Sequence, residues 1–101
     1  MDYTKIIEND VCKVNISGKF TFTDHLEFKK ILSIFEQENI AFLEVNLSEV
    51  TFVDSAALGL LLLVRDESEK HSVKLTVFKP QGQVQKMFKI SRFYELFNVV
   101  D

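Results

Sequence analysis

A polar pair, Asp54-Ser55, stands directly in front of a long apolar segment and is the feature of the chain best suited to chemistry. The segment from Ala56 to Val64 is almost entirely apolar and then becomes charged, which is typical of a helix buried at its start. An aspartate that precedes a helix accepts hydrogen bonds from N–H groups of the first turn. The hydroxyl of a serine in that turn lies near unpaired N–H groups at the positive end of the helix dipole. The pair therefore predicts either a simple helix cap or a cap that also presents a modifiable hydroxyl.

Phosphorylation is the modification that this position favours. A phosphate on Ser55 gains hydrogen bonds and a favourable field at the helix N-terminus. It also places about −1.5 to −2 units of charge beside Asp54 and on any apolar surface that a partner covers. The domain itself can then tolerate a phosphate that a docked partner cannot, which is a physical basis for a switch.

The other reactive residue types form no recognisable catalytic or metal motif. The sequence has no glycine-rich nucleotide motif and no G-x-S-x-G. His25 and His71 stand apart and are expected on the surface, and Cys12 is expected to be a buried apolar residue. A hydrolase that uses Ser55 is a disfavoured alternative, because the adjacent Asp54 is poorly placed to orient a histidine toward it. We therefore expect that the protein is not an enzyme and that it binds no metal and no cofactor.

Composition limits the class of protein. The chain has 101 residues, of which 47% are hydrophobic and 27% are charged, and this predicts one domain over residues 1–101. The net charge of −3 argues against direct binding of nucleic acid, and the single cysteine excludes an internal disulfide. The first residues do not resemble a signal peptide, and the apolar run is far shorter than the ~20 residues that cross a bilayer. We expect a cytoplasmic monomer without membrane contact.

The hydrophobic periodicity predicts the elements that position the Asp54-Ser55 pair. The alternation is strand–strand–helix–strand–helix–strand–helix–strand, which indicates an α/β layer with helices on a mixed sheet. Asp24 followed by Glu27 predicts a capping box at the first helix. The predicted strands are 3–8, 11–17 with a continuation at 20–22, 41–47, 73–78 and 99–100; a loop covers 48–52; the helices are 24–39, 55–70 and a short one near 84–88.

The stretch from Val45 to Gly59, VNLSEVTFVDSAALG, resembles the signature of STAS domains, specifically those of bacterial anti-sigma factor antagonists. The Asp-Ser pair at a strand–loop–helix junction, followed by Leu58-Gly59, is its specific part. The likeness covers nearly the whole chain, including Gly18-Lys19-Phe20 and residues 79–97. It implies a single STAS domain with a mixed β-sheet and helices packed mainly on one face.

The resemblance also implies a function. Antagonists of this family bind an anti-sigma factor that is also a serine kinase of the histidine-kinase-like ATPase fold, and binding releases the sigma factor. The kinase phosphorylates the serine that follows the aspartate, which weakens the complex, and a PP2C-type phosphatase restores it. Ser55 matches this serine, and Asp54 matches the acid that supports it. ATP belongs to the kinase, so no nucleotide site is implied here. The alternative is a STAS scaffold or small-ligand sensor that works without phosphorylation.

The chain departs from the common Asp-Ser-Ser-Gly pattern of the family at Ala56 and Ala57. The missing second hydroxyl concentrates the prediction on Ser55, and Ala57 is expected to restrict how closely a partner's backbone approaches. Packing is the favoured role for two of Leu58, Leu61 and Leu62, while a turn or cap role is as strongly indicated as partner binding for Thr21, Thr23 and Asp24. A solvated face is favoured for Lys86, Lys89 and Arg92, and a docking site for an acidic partner surface is the alternative. The predicted partner-binding residues are Thr21, Thr23, Asp24, Ala56 and Leu58.

Overall fold

The computed structural model describes residues 1–101 as strands and helices in the predicted alternating order. The strands are β1 (Asp2–Glu8), β2 (Val11–Phe20), β3 (Phe42–Val53), β4 (Lys74–Phe78) and β5 (Asn98–Val100). The helices are α1 (His25–Leu32), α2 (Ile34–Gln37), α3 (Ser55–Lys70), α4 (Gly82–Ile90) and α5 (Phe93–Leu96), and a 3₁₀ turn covers Phe22–Asp24. The predicted α/β class is confirmed.

The five strands form one sheet in the order β1-β2-β3-β4-β5. The first two strands pair antiparallel through a tight turn in which Asn9 takes a left-handed φ of 57°. The other pairs are parallel, so each needs a crossover, and helices supply it. The sheet is mixed, as predicted.

One face of the sheet is buried under the helices and the other is open. Leu43, Val45 and Leu47 of β3 point into the core, whereas Glu44 and Asn46 between them lie on the half-buried open face. This alternation is expected for a sheet that is covered on one side. The predicted packing of helices on one face is therefore confirmed. The largest fully buried side chains are Phe20, Phe28 and Phe88.

The predicted loop at residues 48–52 is wrong, because β3 continues to Val53. Pairing with β2 extends to the end of that strand, where Phe20 lies opposite Val53. Two register shifts in this pair absorb the irregular alternation that made the segment look like a loop. The predicted strand at 20–22 is also wrong, since β2 ends at Phe20 and Phe22 begins a turn.

The predicted helix 24–39 is divided in two at Ser33. Its hydroxyl donates to the carbonyl of Lys30 at 2.6 Å, a local bond that competes with regular helical geometry. The capping box predicted for Asp24 and Glu27 is also wrong, because the Asp24 side chain makes no cap bond to α1. None of the helices is long and apolar enough to span a membrane.

Candidate functional site

The Asp54 carboxylate joins the start of α3 to the turn that follows β2. Its Oδ1 accepts the N–H of Ala57 at 2.8 Å, which is the predicted helix cap. Its Oδ2 accepts the N–H of Phe22 at 3.1 Å. Both carboxylate oxygens therefore accept backbone N–H groups, and neither forms a hydrogen bond with a histidine of the chain.

Ser55, the first residue of α3, is exposed to solvent. Its hydroxyl makes no hydrogen bond with another residue of the chain, so it is free to react. In the first turn, Asp54 takes up the N–H groups of Ala57 and Leu58, through its side chain and its carbonyl respectively. The N–H groups of Ser55 and Ala56 are left without an acceptor, which gives this helix end capacity for an anion.

Asp24 holds the turn beside this helix end. Its Oδ2 accepts the N–H of Thr21 at 2.8 Å, and its Oδ1 pairs with the amino group of Met1 at 2.8 Å. Burial acts to raise the pKa of Asp24, but the bonds from the amino group and from Thr21 outweigh it, and the pKa lies below its ordinary value of 3.8. The side chain is 15% exposed. Of the predicted residues in this segment, Thr23 is exposed and bonds the Thr21 hydroxyl at 3.0 Å.

Phe22 is a site residue that sequence reasoning missed. Its side chain is 61% exposed although the backbone around it is fixed. Its carbonyl bonds Nδ1 of His25 at 2.9 Å, and the two rings stack with centroids 4.9 Å apart. The spacing of Thr21 and Asp24 is compatible with a turn here, but the β-prone pattern of residues 20–22 favours a strand.

Gln83 of α4 is a second missed residue. Its side-chain Nε2 donates to the Val53 carbonyl at 2.9 Å, and its Oε1 accepts the Val53 N–H at 2.9 Å. The two residues lie 30 positions apart, and no local sequence signal links them. Gln83 thus holds the residue that precedes the Asp54-Ser55 pair.

The outward side of α3 differs from the prediction. Leu58 is only 5% exposed, so its predicted role in partner binding is corrected to core packing. Leu63 is instead 46% exposed. Gly59 is exposed, and a methyl group added to it would meet no atom within 4 Å. Helical spacing therefore places Ser55, Gly59 and Leu63 on one exposed side.

The role predicted for Ala57 is also corrected. Its side chain is fully buried and faces the core, so it cannot limit the approach of a partner. Ala56 is half-buried beside Ser55. Of the three leucines considered together, Leu61 is buried like Leu58, and Leu62 is half-buried.

The remaining candidate residues lie outside this site. Cys12 is fully buried, as predicted, and burial raises the pKa of its thiol. His71 follows the last residue of α3, at the opposite end of the helix from Ser55. No group of three or more His, Cys, Asp and Glu side chains is placed to hold a metal ion. Lys86 and Lys89 are solvated, and the neighbouring Arg92 pairs with Glu95 at 2.7 Å.

The sequence model of the STAS domain matches residues 3–101. The chain belongs to the STAS domain family. A STAS-domain containing protein of Pseudomonas aeruginosa (strain UCBPP-PA14) is 31% identical in a 90-residue alignment that covers 85% of this chain and 84% of that protein.

Solved structures share the fold of this STAS domain. The anti-sigma factor antagonist SpoIIAA in its unphosphorylated form superimposes with a TM-score of 0.78 at 18% identity, over 99% of this chain and 88% of SpoIIAA. Bacillus SpoIIAA in its phosphorylated form gives a TM-score of 0.75 at 17% identity, over 99% of this chain and 92% of SpoIIAA. An anti-sigma factor antagonist from Mycobacterium paratuberculosis superimposes with a TM-score of 0.85 at 16% identity, over 98% of this chain and 84% of that protein.

Proposed function

We propose that this STAS domain is an anti-sigma factor antagonist that is switched by phosphorylation of Ser55. The unphosphorylated form binds an anti-sigma factor that is also a serine kinase of the histidine-kinase-like ATPase fold, and the sigma factor is released. Phosphorylation ends the binding, and a PP2C-type phosphatase restores it. The observation that carries the proposal is the exposed, unbonded hydroxyl of Ser55 at the N-terminus of α3. The names of the structural neighbours support the same role.

The partner docks on a surface that we call the Ser55 face, formed by Phe22, Ser55, Ala56, Gly59 and Leu63. Phe22 and Leu63 give this surface exposed apolar area, and Gly59 allows a partner's backbone to come close. Exposed aromatic side chains that are already held in one position lose little entropy on binding and often anchor interfaces. Thr21 and Thr23 lie at the edge of this face.

A phosphate on Ser55 affects the free and bound states differently. In the free domain the phosphate can accept from the N–H groups of Ser55 and Ala56 while water solvates its other oxygens. In the complex a charge of about −1.5 to −2 would be covered by the partner, and the cost of desolvating it opposes binding. The negative charge of Asp54 also repels the phosphate on Ser55. The complex is therefore weakened more than the fold.

Asp54 supports the acceptor serine through the backbone. Because both of its oxygens accept backbone N–H groups, it fixes the turn rather than removing the proton of Ser55. The groups that position the hydroxyl for attack and receive its proton come from the kinase, as does the ATP.

The first test is phosphorylation. The unmodified chain is used to capture its kinase from native cells, and the intact mass is followed after addition of ATP and Mg²⁺. One phosphate is expected on the wild-type chain and on Thr51→Ala, which removes another exposed hydroxyl of the same region, but none on Ser55→Ala. Equal labelling of Ser55→Ala would show that the site is wrong.

The second test is binding. Ser55→Ala is expected to keep the affinity of the wild type for the captured kinase, while Ser55→Asp and phosphorylated wild type bind at least about tenfold more weakly, a loss of about 1.4 kcal/mol. Equal affinities of all these forms would remove the switch. A chain that carries no phosphate in native cells under any condition would favour the scaffold or sensor alternative.

A further inference from the structure

The side-chain amide of Gln83 bonds the backbone groups of Val53 that a neighbouring strand would otherwise bond. It donates to the Val53 carbonyl and accepts the Val53 N–H, both at 2.9 Å. This is the two-bond pattern that a neighbouring strand would provide. It comes from α4, a helix that packs against β3.

These two bonds between Gln83 and Val53, which we call the clamp, are needed because β3 extends well past β4. The last residue of β3 that pairs with β4 is Asn46, whereas pairing with β2 continues to Val53. Val53 is fully buried, so water cannot satisfy its N–H and carbonyl groups. A buried backbone group without a partner costs about 1–3 kcal/mol. Gln83 satisfies both groups.

We propose that Gln83 is a positioning residue for the phosphorylation of Ser55, an inference that rests on the proposed function. Val53 lies opposite Phe20 of β2 on one side and is bonded to Gln83 on the other. Asp54 and Ser55 follow it directly, so the clamp sets the direction in which the chain leaves the sheet. Gln83 acts through Val53 and through the backbone, so it connects α4 to the reactivity of the acceptor hydroxyl.

Four variants separate the clamp from general effects. Gln83→Ala removes both bonds, and Gln83→Asn keeps the amide but is one methylene too short to form both. Gln83→Glu retains only the acceptor for the Val53 N–H. Gln81→Ala is the matched control, because Gln81 is an exposed glutamine two residues earlier that makes no capping bond.

Hydrogen exchange of the Val53 amide, followed by NMR on the full chain, tests the clamp without a kinase. Exchange is expected to be about tenfold or more faster in Gln83→Ala and Gln83→Asn, and unchanged in Gln81→Ala. Gln83→Glu should lie closer to the wild type, since it keeps the bond to this amide. An unchanged exchange rate in Gln83→Ala would overturn the clamp.

Steady-state phosphorylation with the captured kinase tests the positioning. Misplacing a reacting group by about 1 Å can cost up to about a hundredfold in rate, so we expect kcat for Gln83→Ala to fall by about tenfold or more. KM should change less than about twofold, because the Ser55 face is intact. Val73→Ala, a core change directly before β4 and away from the clamp, controls for lost stability and should keep kcat.

The outcomes distinguish the inference from the proposed function. If wild type and Gln83→Ala are phosphorylated on Ser55 with the same kcat, the positioning role is rejected and the proposed function stands. A loss of kcat in Val73→Ala equal to that in Gln83→Ala also rejects it. If the wild type is not phosphorylated on Ser55 at all, the proposed function fails and the positioning role fails with it.

Discussion

The N–H of Phe22 donates to the carboxylate of Asp54 at 3.1 Å, across 32 positions of sequence. The same carboxylate caps α3. One acidic side chain thus fixes Phe22 and Ser55 relative to each other. In the proposed complex, the partner would meet a surface that is already ordered in the free domain.

Removing the Asp54 carboxylate should destabilise the domain. Asp54→Ala loses the cap and the bond to Phe22, and we expect the free energy of unfolding to fall by about 1–3 kcal/mol. Asp54→Asn keeps an acceptor for the cap and should lose less. Urea denaturation measures both, with Asp66→Ala on the exposed side of α3 as the control. A stability of Asp54→Ala equal to that of the control would contradict the bridging role.

Phe22 should contribute to partner binding rather than to stability. Because its ring is 61% exposed, Phe22→Ala is expected to change the free energy of unfolding by less than about 1 kcal/mol, while affinity for the captured kinase falls by about tenfold or more. Calorimetric titration gives the affinity. Ile90→Ala is the matched control, since Ile90 is 76% exposed at the far end of α4. An equal effect of the two variants would place the interface elsewhere.

Gly59→Ala separates folding from docking. The added methyl group meets no atom of the chain, and alanine favours a helix by about 0.8–1 kcal/mol over glycine. The melting temperature should therefore rise or stay the same. Affinity for the kinase should fall, since the methyl group stands where the partner's backbone approaches. Unchanged affinity in a chain that is at least as stable as the wild type would exclude Gly59 from the interface.

The depressed pKa of Asp24 makes its contribution to stability depend on pH. Burial acts to raise this pKa, but the bonds to the carboxylate lower it by a larger amount. The pKa in the folded state is therefore below 3.8. The contribution is present above the unfolded pKa and is lost as the pH falls through the folded one. Asp24→Asn should be less stable than the wild type by about 1–2 kcal/mol at pH 6. Below about pH 3.8 the difference should shrink. Urea denaturation from pH 6 to pH 2 measures it, and a constant difference over this range would contradict the assignment.

Short sequence patterns predicted the features that depend on interactions between residues close together in the chain. The period of 3.6 residues and the apolar run placed α3 correctly, and the residue types at its start predicted the Asp54 cap, because capping involves only neighbouring residues. The alternation of residues 41–47 predicted the buried side of β3. The Asp54-Ser55 pair could be found from sequence for the same reason.

The tertiary structure decided the features that depend on distant partners. The length of β3 depends on its pairing with β2, and the exposure of Leu58 and Leu63 depends on how α3 is rotated against the sheet. The bond of Phe22 to Asp54 and the clamp of Gln83 on Val53 join residues more than about two dozen positions apart. Such pairs form only when packing brings the elements together, and no periodicity or propensity encodes them. The sequence determined that Ser55 stands at the start of a helix, and the folded chain decided which side chains lie around it.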